Sequence, residues 1–207
     1  VYDNELEIKQ LYVNGELEVE ANDSVFPNDT TAFNIGAGQD MGNGFWFKGD
    51  LDDIILWSRV LSASEVAAVH ANGISTDGGG GPLVPGMIAY WPFDGDLQDA
   101  VGNSHGEAMG SDDIAYGSGK FGDGIDLDGV DQFVQTPVEN EEMFDFQDGT
   151  GFSISAWFSV NEFTKILLAL IAKGEGNRWR VHRLFCLNIL TANVPSLIYI
   201  SPFPSMP

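Results

Sequence analysis

The clearest hydrophobic pattern in the chain is a strict alternation that begins at Phe152 and ends at Val160. Every second side chain is apolar, and Ser153, Ser155, Trp157 and Ser159 take the positions between. Side chains of a strand point to alternate faces, so the apolar ones share a single face. This pattern predicts a half-buried antiparallel strand with Trp157 on its other face.

A β-hairpin and a short helix are predicted in the first third of the chain. Asn14 and Gly15 separate two short alternating runs, and both residues tolerate the positive φ of a two-residue hairpin turn. Ser62 and Glu65 have the spacing of a capping box. The helix that they begin should end before Gly73, since glycine favours that position.

Further strands are predicted by short apolar runs between turn residues. They cover residues 32–35, 45–57, 87–93, 125–127 and 132–136. The chain contains 25 glycines, as strands joined by tight turns require. We therefore predict an all-β fold with two blocks, residues 1–74 and 87–183, joined by a Gly/Pro linker at residues 75–86.

The composition changes abruptly near the C-terminus. All 31 acidic residues lie at or before Glu175, whereas Arg178, Arg180 and Arg183 follow it. Residues 184–207 contain four of the nine prolines and the single cysteine, Cys186. We expect the native module to end near Arg183 and the rest to be an atypical tail, frameshifted or disordered.

The net charge of −22 excludes a nucleic-acid partner, because phosphates repel such a surface. No apolar run reaches the roughly 18 residues that a membrane span needs, so we expect no membrane insertion. One cysteine allows no internal disulfide. The chain starts with Val1 inside an apparent strand, and we expect the native protein to extend further.

Several motifs, in order, resemble the laminin G-like (concanavalin A-like) jelly-roll family. Residues 47–73 (FKGDLDDIILWSRVLSASEVAAVHANG) and 11–18 (LYVNGELE) resemble the end of such a domain. Residues 87–108 (MIAYWPFDGDLQDAVGNSHGEA), 119–137 and 152–158 resemble its beginning. The resemblance implies an antiparallel β-sandwich in which the C-terminal part of one repeat precedes the N-terminal part of the next.

The order of these pieces has a structural consequence. First and last strands of such sandwiches lie side by side, so the two pieces can fold together as a circularly permuted, incomplete sandwich. Contacts between residues 46–57 and 87–93 would support this hypothesis, and two separated lobes would refute it.

The resemblance also implies a Ca²⁺ site. Family members often hold calcium at carboxylates that correspond to Asp94, Asp99 and either Asp52 or Asp53. Calcium prefers such clustered oxygen ligands. The alternative is that these side chains hold their own loops through backbone hydrogen bonds.

The candidate ligand contacts are Trp157, Trp179 and Arg178. Sugars stack on exposed aromatic rings while polar groups fix their orientation. Trp157 is predicted on the polar face of its strand, and the other two lie in a polar segment, residues 173–180. The alternative is that the rings pack against neighbouring elements, as we expect of Trp57 and Trp91 in the core.

Catalysis is not expected. Glu16, Glu18 and Glu20 share one strand face, and a glycosidase needs two carboxyls about 5–5.5 Å apart. A solvated face explains the three glutamates better, and residues 139–142 are interpreted as a charged loop.

These observations favour a non-catalytic binding module of a secreted or cell-surface multidomain protein. Its partners would be a glycan or an extracellular protein, together with neighbouring repeats of the same chain. Two alternatives stay open: a structural spacer in an adhesin-like array, and an ancillary domain of a carbohydrate-active enzyme. Binding to a glycan array would distinguish the binding module from the structural spacer.

Overall fold

The computed structural model describes residues 1–22, 31–38, 46–74, 85–146, 151–160, 167–174, 183–190 and 197–200. These residues confirm the predicted antiparallel β-sandwich with one short α-helix. No helix among them is long and apolar enough to cross a membrane.

The described residues form fourteen strands, one α-helix and one 3₁₀ helix. The strands are β1 (Tyr2–Asp3), β2 (Ile8–Val13), β3 (Glu16–Asn22), β4 (Phe33–Ile35), β5 (Lys48–Trp57), β6 (Met87–Trp91), β7 (Glu107–Met109), β8 (Ala115–Ser118), β9 (Asp123–Asp128), β10 (Phe133–Gln135), β11 (Gly151–Val160), β12 (Leu167–Gly174), β13 (Arg183–Leu190) and β14 (Leu197–Ile200). The helices are α1 (Ala63–Asn72) and the 3₁₀ helix (Val138–Phe144).

Two sheets face each other. The first has the order β3-β2-β1-β11-β5-β9-β8, with β6 also beside β5, and the second has the order β14-β13-β12-β4-β10-β7. β11 follows one side of β5, whereas β9 and β6 share its other side end to end. The strand β5 is therefore the axis of the first sheet.

The pairing of β5 with β6 joins the two sequence blocks. Ile54 lies opposite Trp91 and Ile55 opposite Tyr90, which are contacts between residues 46–57 and 87–93. The single-sandwich hypothesis required these contacts, and they are present. Whether the blocks correspond to parts of two repeats stays a prediction.

The main core lies between the sheets. The ring of Phe33 stacks on Trp91 at 5.5 Å and on Phe144 at 4.8 Å, measured between ring centroids. A second cluster lies under α1 on the outer face of the first sheet and includes Ile55 and Trp57. Trp57 and Trp91 are fully buried, as expected.

The local predictions for the hairpin and helix are confirmed. Asn14 and Gly15 have φ of 52° and 81° in the turn that joins β2 to β3. The side chain of Ser62 accepts from the amide of Glu65, whose side chain accepts from the amide of Ser62. The helix ends at Gly73, with φ of 64°.

Residues 139–142 were expected in a loop, and this prediction is wrong. They lie in the 3₁₀ helix, whose last residue, Phe144, is fully buried and stacks on Phe33. The backbone of β13 and β14 extends the second sheet next to β12. Whether residues 184–207 are native to the module stays a prediction.

Candidate functional site

A groove of about 280 Å³ lies on the first sheet between β2, β11 and the helix α1. Its floor and walls are mainly apolar, with Val66 and Val69 on the helix and Leu11 on β2. The polar residues that line it include Gln10, Asn14, Ser153 and Ser155.

The short strand β1 lies at one end of the groove. Tyr2 and Asp3 lie between β2 and β11 and pair with both. Beyond Phe152, β11 runs on to Val160 along β5, but no described strand lies on its other edge. The groove lies along this edge of β11.

Trp157 forms the far wall of the groove. Its ring is half-buried and stacks on His70 of α1, with centroids 5.1 Å apart. Phe121 meets it edge-on at 6.0 Å, and the ammonium of Lys120 lies 5.0 Å from the ring centroid. The indole is thus fixed in orientation and keeps part of its surface exposed.

Asp52 holds the loop that carries Phe121. It lies beside Trp157 in the sheet and is only 3% exposed. Its Oδ2 accepts from the amides of Lys120 and Phe121. The other oxygen, Oδ1, is buried and has no hydrogen-bond partner. Burial raises the pKa of Asp52.

Asp53 and Tyr90 form a buried pair beneath α1. The backbone of Asp53 has a φ of 49°, and its Oδ1 accepts from the hydroxyl of Tyr90. Burial raises the pKa of Asp53 to about 7, and the nearby charges of Asp52 and Asp94 act in the same direction. Burial and the bond to Asp53 also raise the pKa of Tyr90.

Asp99 organises its own loop. Its Oδ1 accepts from the amides of Tyr90, Val101 and Gly102 at 2.9–3.0 Å, and its Oδ2 from the amide of Ser104 at 3.1 Å. The side chain is 5% exposed, so these amides surround the carboxylate.

A family model described as the concanavalin A-like lectin/glucanases superfamily, of laminin G type, matches residues 1–67. Residues 1–67 belong to the laminin G-like family. This laminin G-like segment includes the β2–β3 hairpin, β5 and the capped start of α1. No curated protein and no solved structure matches the chain.

The fold brings together only some of the predicted calcium ligands. The charges of Asp52, Asp53 and Asp94 interact, whereas Asp99 is surrounded by backbone amides. No three His, Cys, Asp or Glu side chains of the described residues form a group that could hold a metal. Calcium binding stays a prediction.

The structure describes some of the other predicted site residues and not others. Trp157 lies on the polar face of β11, as predicted, and also packs against α1. Arg178 and Trp179 lie outside the described residues. Glu16, Glu18 and Glu20 are exposed on the edge strand β3, and Glu20 accepts from the side chain of Gln10.

Sequence reasoning missed His70, Tyr12 and the groove itself. The helix was predicted, but nothing in its sequence identified the strand that it covers. One local signal was available: His70 and Val66 are four residues apart, which places both on one side of α1.

Proposed function

We propose that the chain is a non-catalytic binding module whose ligand, a carbohydrate or a protein, occupies the groove between β2, β11 and α1. The observation that carries the proposal is that Trp157, a partly buried aromatic residue, lines a mainly apolar groove. Ligand sites typically combine apolar walls with a few polar groups that fix orientation.

The groove offers that combination. Asn14 and Ser155 are polar residues beside the apolar floor. Trp157 is held by His70 and Phe121, so a ligand that stacks on it need not order the ring first. Laminin G-like domains are generally non-catalytic binding modules, which supports the same function.

The setting is part of the proposal. We place the module outside the cell, in a secreted or surface protein, where neighbouring repeats would add avidity. The acidic composition and the family resemblance support this setting. Calcium would add to its stability through Asp52, whose buried Oδ1 has no hydrogen-bond partner.

A substitution at the groove tests the proposal. Wild type, Trp157→Ala and Trp46→Ala would be applied to a glycan array and to a peptide library. Trp46 is the matched control, because its ring packs on Phe133 away from the groove. We expect Trp157→Ala to lower the affinity for a ligand at least tenfold and Trp46→Ala to leave this affinity unchanged. Equal affinity of Trp157→Ala and wild type would refute the proposal.

A further inference from the structure

One lysine side chain lies inside the sandwich, out of contact with solvent. Lys173 lies on β12 opposite Phe33 of β4, and Phe33 is fully buried in the main core. Residues that lie opposite each other on paired strands place their side chains on the same face of the sheet. Lys173 therefore points into the interior, and its side chain is 0% exposed.

Two carboxylates contact the ammonium of Lys173. Oδ1 of Asp145 lies 2.5 Å from Nζ, and Oε2 of Glu141 lies 3.1 Å from it. Glu141 belongs to the 3₁₀ helix, and Asp145 caps the C-terminal end of this helix. The helix is anchored between these two residues by Phe144, which is fully buried and stacks on Phe33. Both carboxylates are thereby held against the amine.

The burial of these groups is costly while they remain charged. Charges that are taken out of water carry a desolvation cost even when they are paired. The three side chains are one ammonium and two carboxylates, with a formal charge of −1. Condensation of the ammonium with one carboxylate removes two of these charges and leaves a neutral amide. The interior therefore favours the amide over a permanent ion pair.

We propose that Nζ of Lys173 and the carboxyl group of Asp145 form an intramolecular amide, with Glu141 as the group that moves the proton. A proton first passes from the ammonium to Asp145, which gives a neutral amine and a neutral carboxylic acid. Nζ then attacks Cγ of Asp145, and Glu141 takes a proton from Nζ. Glu141 returns this proton to the hydroxyl oxygen of Asp145, the C–O bond breaks and one water leaves. No oxidant, reductant or other co-reactant is needed.

The geometry suits this reaction. The carboxyl carbon of Asp145 is one bond beyond the oxygen that contacts Nζ, which places it close to the roughly 3–3.5 Å between reacting atoms in near-attack conformers. The side chains of Glu141 and Asp145 are 14% and 15% exposed, so the water has a path out. The reverse reaction would need water at Nζ, which is fully buried.

The amide would give the chain a covalent link that its cysteine content does not allow. With a single cysteine no internal disulfide can form. Asp145 precedes β11 of the first sheet, whereas Lys173 lies on β12 of the second sheet, 28 residues later. The link would close a loop that contains β11. Such a closure restricts the unfolded chain and so stabilises the fold.

Mass spectrometry of the denatured chain tests the proposal, after the folded protein has been incubated until its mass is constant. We expect a mass below that of the sequence by one water. Trypsin cleaves after unmodified Lys and Arg, so an unlinked chain gives separate peptides 121–165 and 166–173. The amide blocks cleavage at Lys173 and joins peptide 121–165 to peptide 166–178. This branched peptide distinguishes the amide from loss of water at an Asp-Gly sequence.

Four variants test the roles of the residues. Lys173→Arg and Asp145→Ala should keep the full mass of their sequences, and Glu141→Gln should form the amide at least tenfold more slowly. Lys48→Arg is the control, because Lys48 is partly exposed and lies opposite Asp128 in the first sheet. It should lose water as the wild type does.

Two results would overturn the proposal. One is a wild-type chain of full mass that gives the two separate peptides, and the other is Glu141→Gln that forms the amide as fast as the wild type. If a variant fails to fold, the mass and the peptides of the wild type still decide whether the amide exists.

Discussion

Replacement of Asp99 by alanine tests whether this carboxylate organises the loop after β6. Its oxygens accept from four backbone amides, those of Tyr90, Val101, Gly102 and Ser104. The bonds from Tyr90 and Ser104 are buried, and the other two are partly buried. In Asp99→Ala the buried amides lose their acceptor, whereas water can replace it for the other two.

The expected loss follows from the two buried amides. A hydrogen bond to a charged group contributes about 1.5–3 kcal/mol. Loss of two such bonds, with some relaxation of the loop, should lower the free energy of unfolding by about 3–5 kcal/mol. Removal of the carboxylate would lower the free energy of unfolding less if it were a solvated surface group.

Urea unfolding in the presence of a chelator measures this loss without any contribution from calcium. Asp96→Ala is the matched control, because Asp96 is exposed and accepts from the amide of Gln98 in the same loop. We expect the control to lose less than about 1 kcal/mol. The reasoning is refuted if the two variants unfold at the same urea concentration.

Three further predictions follow from buried polar groups. Asp53 has a pKa of about 7 in the fold and 3.8 as its ordinary value, so between about pH 4 and 7 only the folded state keeps the proton and stability falls as the pH rises. Asp53→Asn should make stability depend less on pH in this range, and above pH 7 it should raise the free energy of unfolding by at most about 4 kcal/mol. Thermal melts in the presence of a chelator measure this effect. A variant whose stability depends on pH as the wild type does would contradict the prediction. Ser153→Ala should lower the free energy of unfolding in urea by about 1–3 kcal/mol, because its buried hydroxyl donates to the carbonyl of Arg59 and accepts from the amide of Leu61. Ser159 is exposed, so Ser159→Ala should change this free energy very little. Millimolar calcium should raise the melting temperature of the wild type more than that of Asp52→Asn, and equal shifts would argue against calcium at Asp52.

The elements that the sequence predicted best are those fixed by neighbours in the chain. The turn at Asn14 and Gly15 and the cap at Ser62 and Glu65 depend on contacts over a few residues. The period of β11 identified the face of Trp157 for the same reason. Local chemistry determined these features, and the sequence contains it directly.

Features that depend on distant partners were not predictable. The strand β1 has two residues and exists because β2 and β11 flank it. The groove is lined by β2, β11 and α1, and no local pattern in the sequence records that these elements lie together. For Asp99 both interpretations were open, since a carboxylate accepts equally from calcium or from amides, and only the fold shows the four amides.

The single sandwich is tested most directly by interstrand nuclear Overhauser effects in the intact chain. Contacts between the backbone protons of Ile55 and Tyr90, and of Leu51 and Ile125, join β5 of the first block to β6 and β9 of the second. We predict both sets of cross-peaks. Cross-peaks from β5 to strands of its own block alone would contradict the fold and, with it, the groove.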